Sequence, residues 1–204
     1  MVDDVDVLRT LPPREFNQGF AEIIKHAVIA DAKMFGTLQS WKPSSPRRVR
    51  PAADEPLALQ GLIKRNIQIK SKIVAKDERD QTGERAILNF GHTVGHAIER
   101  AGDYQKFLHG EAVSLGIVAA CAISIKKAGL PPNQRDAIVD LLRRFDLPTQ
   151  LPPNFPREKI FAALPYDKKF ESGHIRFIVA PRIGTAHITN DITFNDIREA
   201  VEVL

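Results

Sequence analysis

The chain has 204 residues, 43% of them hydrophobic and 26% charged, with a formal net charge of +4 at pH 7. This is the composition of an ordinary globular domain, and it excludes a disordered chain, a collagen-like fibre and a coiled coil. A single cysteine, Cys121, excludes a disulfide framework and a cysteine-built zinc site.

The longest apolar run, residues 112–125, falls short of the ~20 residues that a membrane helix needs. No basic leader opens the chain. The expectation is a cytoplasmic protein without a membrane partner. The mild excess of positive charge suits an anionic small molecule or a solvated basic surface. Arg47-Arg48-x-Arg50 is too short, and too free of aromatics, to argue for nucleic acid. No two of the 12 glycines stand as Gly-x-Gly, so neither the dinucleotide fingerprint nor the common phosphate loop is present.

In chain order, residues 3–13 read as a short extended piece closing on Leu11-Pro12-Pro13. Phe16, Phe20, Ile23, Ile24, Ala27 and Val28 recur at helical spacing and predict an amphipathic helix over 14–30, with Pro13 suited to its first turn. Asp31 is placed to cap a second helix that runs to 38 or 39. Four prolines within residues 41–56 predict a surface loop. Residues 57–75 are helical again, 77–85 form a polar loop, 86–90 a short apolar segment, and 91–100 a helix ended by Gly102. Residues 109–127 make the most hydrophobic helix, expected at the core and capped by Gly129. Helices follow at 132–145 and 157–164. Alternation then predicts a β-hairpin, 175–180 with 186–189, and a last helix over 193–203 with Thr193 as its N-cap. The sum is a mainly α, multi-helical domain with a small β-hairpin near the C-terminus. No alternating βαβ series is present to build a parallel sheet.

Polar residues at odd places in this pattern point to chemistry. His92 and His96 are four apart, on one helical face and about 6 Å apart along the axis. Glu99 follows three later and can orient the His96 ring, while Gly91 and Gly95 leave room for a ligand or another backbone. The same pattern also fits two ordinary surface histidines. His109-Gly110-Glu111 opens the apolar helix, whose N-terminus disfavours a charged ring and suits a neutral imidazole ligand, or simply a capping residue. Glu22 interrupts the apolar run between Phe20 and Ile23, which turns it inward, or else it pairs on the surface with Lys25. Residues 64–85 carry seven basic and four acidic side chains, either a pocket for phosphate and carboxylate or a solvated face. Asp167-Lys168-Lys169 has the same two readings. Together these residues fit a metal site of one carboxylate and two imidazoles beside an anion pocket. Spacing leaves open which two of His92, His96 and His109 take part.

Leu11-Pro-x-Arg14-Glu15, Gly19-x-Ala21-Glu22-x-Ile-Lys25, Lys70 with Val74-Ala-x-Asp77-Glu78-Arg79, Arg85-Ala-Ile-Leu-Asn89-Phe-Gly-His92-Thr-x-Gly-His96-Ala-Ile-Glu99 and His109-Gly-Glu111-Ala-Val together resemble the 3-dehydroquinate synthase family. The resemblance runs through nearly the whole chain. It implies the C-terminal helical domain of such an enzyme, with residues 14–204 binding metal and substrate. Residues 1–13 would be the end of an interdomain segment, and an N-terminal NAD-binding domain would precede Met1. It implies Glu22, His92 and His109 as ligands of zinc or another divalent cation such as cobalt. Lys25, His96 and Asn89 would be catalytic, and Lys70, Arg85 and one of Lys168 and Lys169 would bind substrate. Val7, Leu8, Arg9 and Thr10 would touch NAD.

The implied reaction converts 3-deoxy-D-arabino-heptulosonate 7-phosphate to 3-dehydroquinate and phosphate in the shikimate pathway. Transient oxidation by NAD is followed by phosphate elimination, reduction, ring opening and aldol closure. The resemblance further implies a homodimer at full length and no activity for this chain alone. Gln81, Glu84 and Phe170 depart from the family pattern without removing a ligand. Two other readings stand beside it: a different sugar-phosphate cyclase of the same superfamily, and a metal-free basic helical binding module.

Overall fold

The computed structural model describes residues 5–41, 56–79, 83–164 and 175–204. Helix α1 (Pro13–Ala30) starts on a proline, where no intrahelical N–H is needed, and ends at Asp31. The Asp31 carboxylate accepts a hydrogen bond from Met34 N at 3.1 Å and caps α2 (Ala32–Ser40), as its side-chain chemistry predicts. Helix α3 (Pro56–Lys76) is followed by a 3-10 turn at Glu84–Asn89, then by α4 (His92–Ala101) and α5 (His109–Ala128). Helices α6 (Pro132–Arg144) and α7 (Arg157–Ala163) precede strands β1 (Phe177–Arg182) and β2 (Thr185–Thr189), which pair antiparallel. Helix α8 (Phe194–Glu202) closes the chain on a reciprocal cap between Thr193 and Asp196.

A helix that is apolar all round is satisfied only at the centre. Every residue of α5 from 112 to 121 is buried, and α1, α4, α6, α8 and β1 pack around it. Its polar residues are answered. Ser124 Oγ donates to Ala120 O at 2.6 Å and accepts from Ala180 N at 3.0 Å, tying the hairpin to the core. No helix among the described residues is long and apolar enough to cross a membrane.

The α4–α5 seam is a backbone-to-backbone contact. A Cβ on Gly116 would stand 2.0 Å from Gly91 O, and one on Gly95 would stand 3.1 Å from Ala112 O. The room that Gly91 and Gly95 leave is thus filled by another backbone. Gly91 also turns the chain into α4 at φ +80°, a left-handed conformation open to glycine.

Two segments differ from expectation. Residues 5–10 form a 3-10 turn rather than an extended piece. Only Val5 is buried there, and a lone strand would leave its amides unpaired. Local bonding, continued by Leu11 N donating to Leu8 O at 3.3 Å, satisfies some of them instead. The hairpin is also shifted: β1 starts at Phe177 and runs on to Arg182. Of the surface loop expected over 41–56, residues 42–55 lie outside the described residues, and Pro56 already opens α3.

Candidate metal centre and anion pocket

Helix α1 presents Arg14, Gln18 and Glu22 at successive intervals of four, hence on one face. Each meets the first turn of α5. The Arg14 guanidinium donates to both oxygens of Glu111, each at 2.6 Å. Gly110 N donates to Gln18 Oε1 at 3.0 Å. Glu22 Oε1 faces His109 Nε2 at 3.7 Å. Glu111 also accepts from Leu108 N at 2.8 Å, so the residues flanking His109 are pinned on both sides.

Helix α4 brings the second imidazole. His92 Nδ1 lies 3.3 Å from Phe90 O, and His92 Nε2 lies 3.4 Å from Glu22 Oε1. His109 Nδ1 lies 3.0 Å from Glu99 Oε1. A carbonyl and a carboxylate can only accept, so both Nδ1 atoms carry protons and both Nε2 atoms turn to Glu22. The donor atoms of Glu22, His92 and His109 all fall within 4.8 Å of one another.

Glu22 Oε1 is buried and has no hydrogen-bond partner. A carboxylate oxygen in that state is costly unless a cation answers it. Glu22 Oε2 is answered by Lys25 Nζ at 2.6 Å. One carboxylate oxygen and two imidazole nitrogens, converging on one point, are the donor set of a catalytic zinc with positions left open. The residues present fit a divalent cation.

The electrostatics agree. Burial would raise the Glu22 carboxyl, but the facing His109 and His92 rings and the Lys25 ammonium outweigh it and hold it well below the ordinary carboxylate range. Without an ion, the Glu22 carboxylate first of all, against burial and with help from Glu99, lifts His109 to about 9. Burial lowers the Lys25 ammonium, and Glu22 offsets part of that. His26, bonded through Nδ1 to Asn66 Oδ1 at 2.5 Å, is pushed down to about 4 by burial and then by Lys25.

Glu22, Lys25, His26, His92 and His109 line one cavity of about 650 Å³. Glu22, His92 and His109 form one part of its wall, and Lys25, Lys70, Arg85 and Asn89 contribute cationic and amide groups to the rest.

Residues 19–170 match the family described as 3-dehydroquinate synthase C-terminal. The chain belongs to this family. It is 39% identical over 199 residues to the 3-dehydroquinate synthase of Nostoc punctiforme, covering 98% of this chain and 53% of that one. It is 40% identical over 204 residues to that of Thermosynechococcus vestitus, covering 100% and 54%, and 42% identical over 199 residues to that of Bordetella pertussis, covering 98% and 53%. The chain thus spans about half the length of the curated relatives it matches. Among solved structures, it resembles 2-epi-5-epi-valiolone synthase from Streptomyces hygroscopicus, with NAD+ and Zn2+ bound, at TM-score 0.83 and 26% identity over 98% of this chain and 54% of that one. 2-Deoxy-scyllo-inosose synthase shares the fold at TM-score 0.79 and 23% identity, covering 97% of this chain and 55% of that one.

In this member of the 3-dehydroquinate synthase C-terminal family, seven residues singled out by sequence meet in the cavity: Glu22, Lys25, Lys70, Arg85, Asn89, His92 and His109. His96 stands apart from its lining, exposed one turn along α4, with its ring 5.2 Å from that of His92 and 6.1 Å from that of His109. Val7, Leu8, Arg9 and Thr10 lie on the 3-10 turn against α3, outside the cavity lining. Lys168 and Lys169 fall outside the described residues. Glu99, which spacing pairs with His96, also bonds His109, because the α4–α5 turn folds the start of α5 back beside it. His26 was not singled out by sequence, although its spacing of four from Glu22 puts it on the same face of α1.

Proposed function

We propose that the chain is the metal- and substrate-binding half of a 3-dehydroquinate synthase, which converts 3-deoxy-D-arabino-heptulosonate 7-phosphate to 3-dehydroquinate and phosphate in the shikimate pathway. One observation carries this reading: a single cavity in which a carboxylate and two imidazoles face three cationic side chains. Residues 14–204 form this half. An N-terminal NAD-binding domain completes the enzyme, residues 7–10 touch NAD, and the full-length protein is a homodimer.

Glu22, His92 and His109 hold the divalent cation, zinc or another such as cobalt; the NAD+ and Zn2+ bound to the valiolone synthase neighbour support both cofactors. When bound, the cation supplies Lewis acidity at a substrate hydroxyl and NAD supplies a reversible hydride acceptor. The chain's own side chains do the rest. Lys70 and Arg85, with one of Lys168 and Lys169, grip the substrate's phosphate and carboxylate. Lys25, buried and eased toward its neutral form, takes and returns a proton at the substrate hydroxyl. Asn89 donates to the departing phosphate, and His96 stands near it. Holding both anionic ends fixes the reacting carbon chain before any bond breaks.

The likeness to valiolone synthase favours one alternative, a cyclase acting on a different sugar phosphate. Phosphate release is the test. The chain, with zinc and NAD, is assayed alone and together with the N-terminal half of the Nostoc punctiforme relative. Release of 3-dehydroquinate only in the combined sample is the expected result. Turnover restricted to sugar phosphates that lack a carboxylate moves the assignment to the alternative. A chain that binds no zinc and never turns over overturns both readings, in favour of a metal-free binding module.

A further inference from the structure

The His109 ring is gripped from two sides: its Nε2 faces Glu22, and its Nδ1 meets Glu99 Oε1 at 3.0 Å. The ring is half exposed, so packing alone does not set its rotation, whereas the Glu99 side chain is only 12% exposed. His96, Glu99 and His109 also form a second close group of donors within 4.8 Å, and within it the 3.0 Å contact joins Glu99 to His109. The backbone of Glu99 is engaged as well. Its carbonyl accepts from Tyr104 N at 2.9 Å. Asp103 and Tyr104 both take left-handed conformations, at φ 55° and 56°, in the turn that leads to His109. The connection between α4 and α5 is therefore built around Glu99 at both its main chain and its side chain.

We propose that Glu99 is a positioning residue for the metal centre, fixing the rotation and tautomer of His109 so that Nε2 is the atom offered to the cation. This rests on the reading of Glu22, His92 and His109 as metal ligands. The physical reason is direct. The carboxylate accepts the Nδ1 proton and cannot donate one, so Nε2 is the atom that exchanges its own proton for a cation. The negative charge behind the ring makes that nitrogen a better donor.

Zinc affinity of the chain, by competition with a chromophoric chelator, is compared among the parent, Glu99→Gln and Glu99→Ala. Nitrogen NMR of the His109 ring in the zinc-loaded proteins supplies a second readout at fixed pH. Outer-shell partners of this kind are worth roughly 10–100-fold in metal affinity. Glu99→Ala is expected to lose about that much. Glu99→Gln, whose amide oxygen still accepts from Nδ1, should lose less and keep His109 ligated through Nε2. A merely structural role would lower the melting temperature of both variants without separating their affinities or changing the ring signals, and that result overturns the proposal. So does a parent and a Glu99→Ala variant that bind zinc within about twofold of each other. If Glu99→Ala does not fold, the parent and Glu99→Gln decide: equal affinities and identical ring shifts overturn the proposal, and a weaker Glu99→Gln supports it. A parent that binds no zinc removes the metal reading itself, a failure distinct from zinc binding that ignores Glu99.

Discussion

Glu22 Oε1 lies 3.4 Å from His92 Nε2, buried and without a hydrogen-bond donor. The two atoms bring lone pairs together where only a proton or a metal ion reconciles them. Glu22→Gln keeps the shape of the side chain and removes the charge. It is expected to weaken zinc binding by more than the roughly 10–100-fold typical of an outer-shell partner, while the metal-free fold persists. Isothermal titration with zinc, alongside circular dichroism, checks both halves of that statement.

Zinc binding should strengthen as pH rises. Without an ion His109 titrates near 9, so below that value the cation must displace a proton. Competition by one proton predicts an apparent affinity rising about tenfold per pH unit, levelling as pH approaches 9. Zinc titrations between pH 6 and 9 in a non-coordinating buffer measure the slope, and a flat profile contradicts the prediction.

His26 gives the fold a pH dependence of its own. Its folded value of about 4 lies below the ordinary 6.5, so the unfolded chain binds a proton that the folded chain refuses. Stability is therefore fully present above 6.5 and falls as pH drops toward 4. His26→Gln cannot take up that proton. Urea unfolding at pH 7 and pH 4.5 should show a smaller loss in the variant than in the parent.

Gly116→Ala sets a methyl group against Gly91 O, 2.0 Å away in the present geometry. Forcing the seam apart should cost about 1–3 kcal/mol. It should also weaken zinc binding, because His92 and Glu99 ride on α4 and His109 on α5. Denaturant unfolding and zinc titration of the same preparation test the link.

Arg14 is a matter of geometry as much as charge. Its fork meets both oxygens of Glu111, a carboxylate only 13% exposed, while Arg14 itself is 59% exposed. After discounting for solvent, Arg14→Ala should cost about 1 kcal/mol. Arg14→Lys should recover little, since an ammonium cannot span two oxygens as the planar fork does. Thermal unfolding of the two variants gives the comparison.

The sequence was most readable where one residue's chemistry decides a local outcome. Asp31 capping α2, Thr193 capping α8 and the all-round apolar α5 follow from side-chain chemistry and period alone. Glu22 betrayed its inward direction by interrupting an apolar run. Which histidine joins which carboxylate was not readable from spacing. His92 and His109 meet only because glycines let α4 and α5 touch backbone to backbone, and Glu99 finds His109 through a turn with two left-handed residues. Those are long-range facts, and helical period carries no information about them. The 3-10 turn at Val5–Thr10 escaped for the opposite reason. Its composition is compatible with an extended piece, but no strand pairs with it among the described residues.

The ladder of Arg14, Gln18 and Glu22 against the first turn of α5 has a further consequence. Its three rungs are set by the docking of two core helices, so the packing of α1 on α5 itself brings Glu22 and His109 together. Binding then spends little entropy on assembling ligands, unlike a zinc finger, whose fold waits for its metal. Stripping the ion with a chelator should leave the helices where they are and the empty cage ready to be refilled.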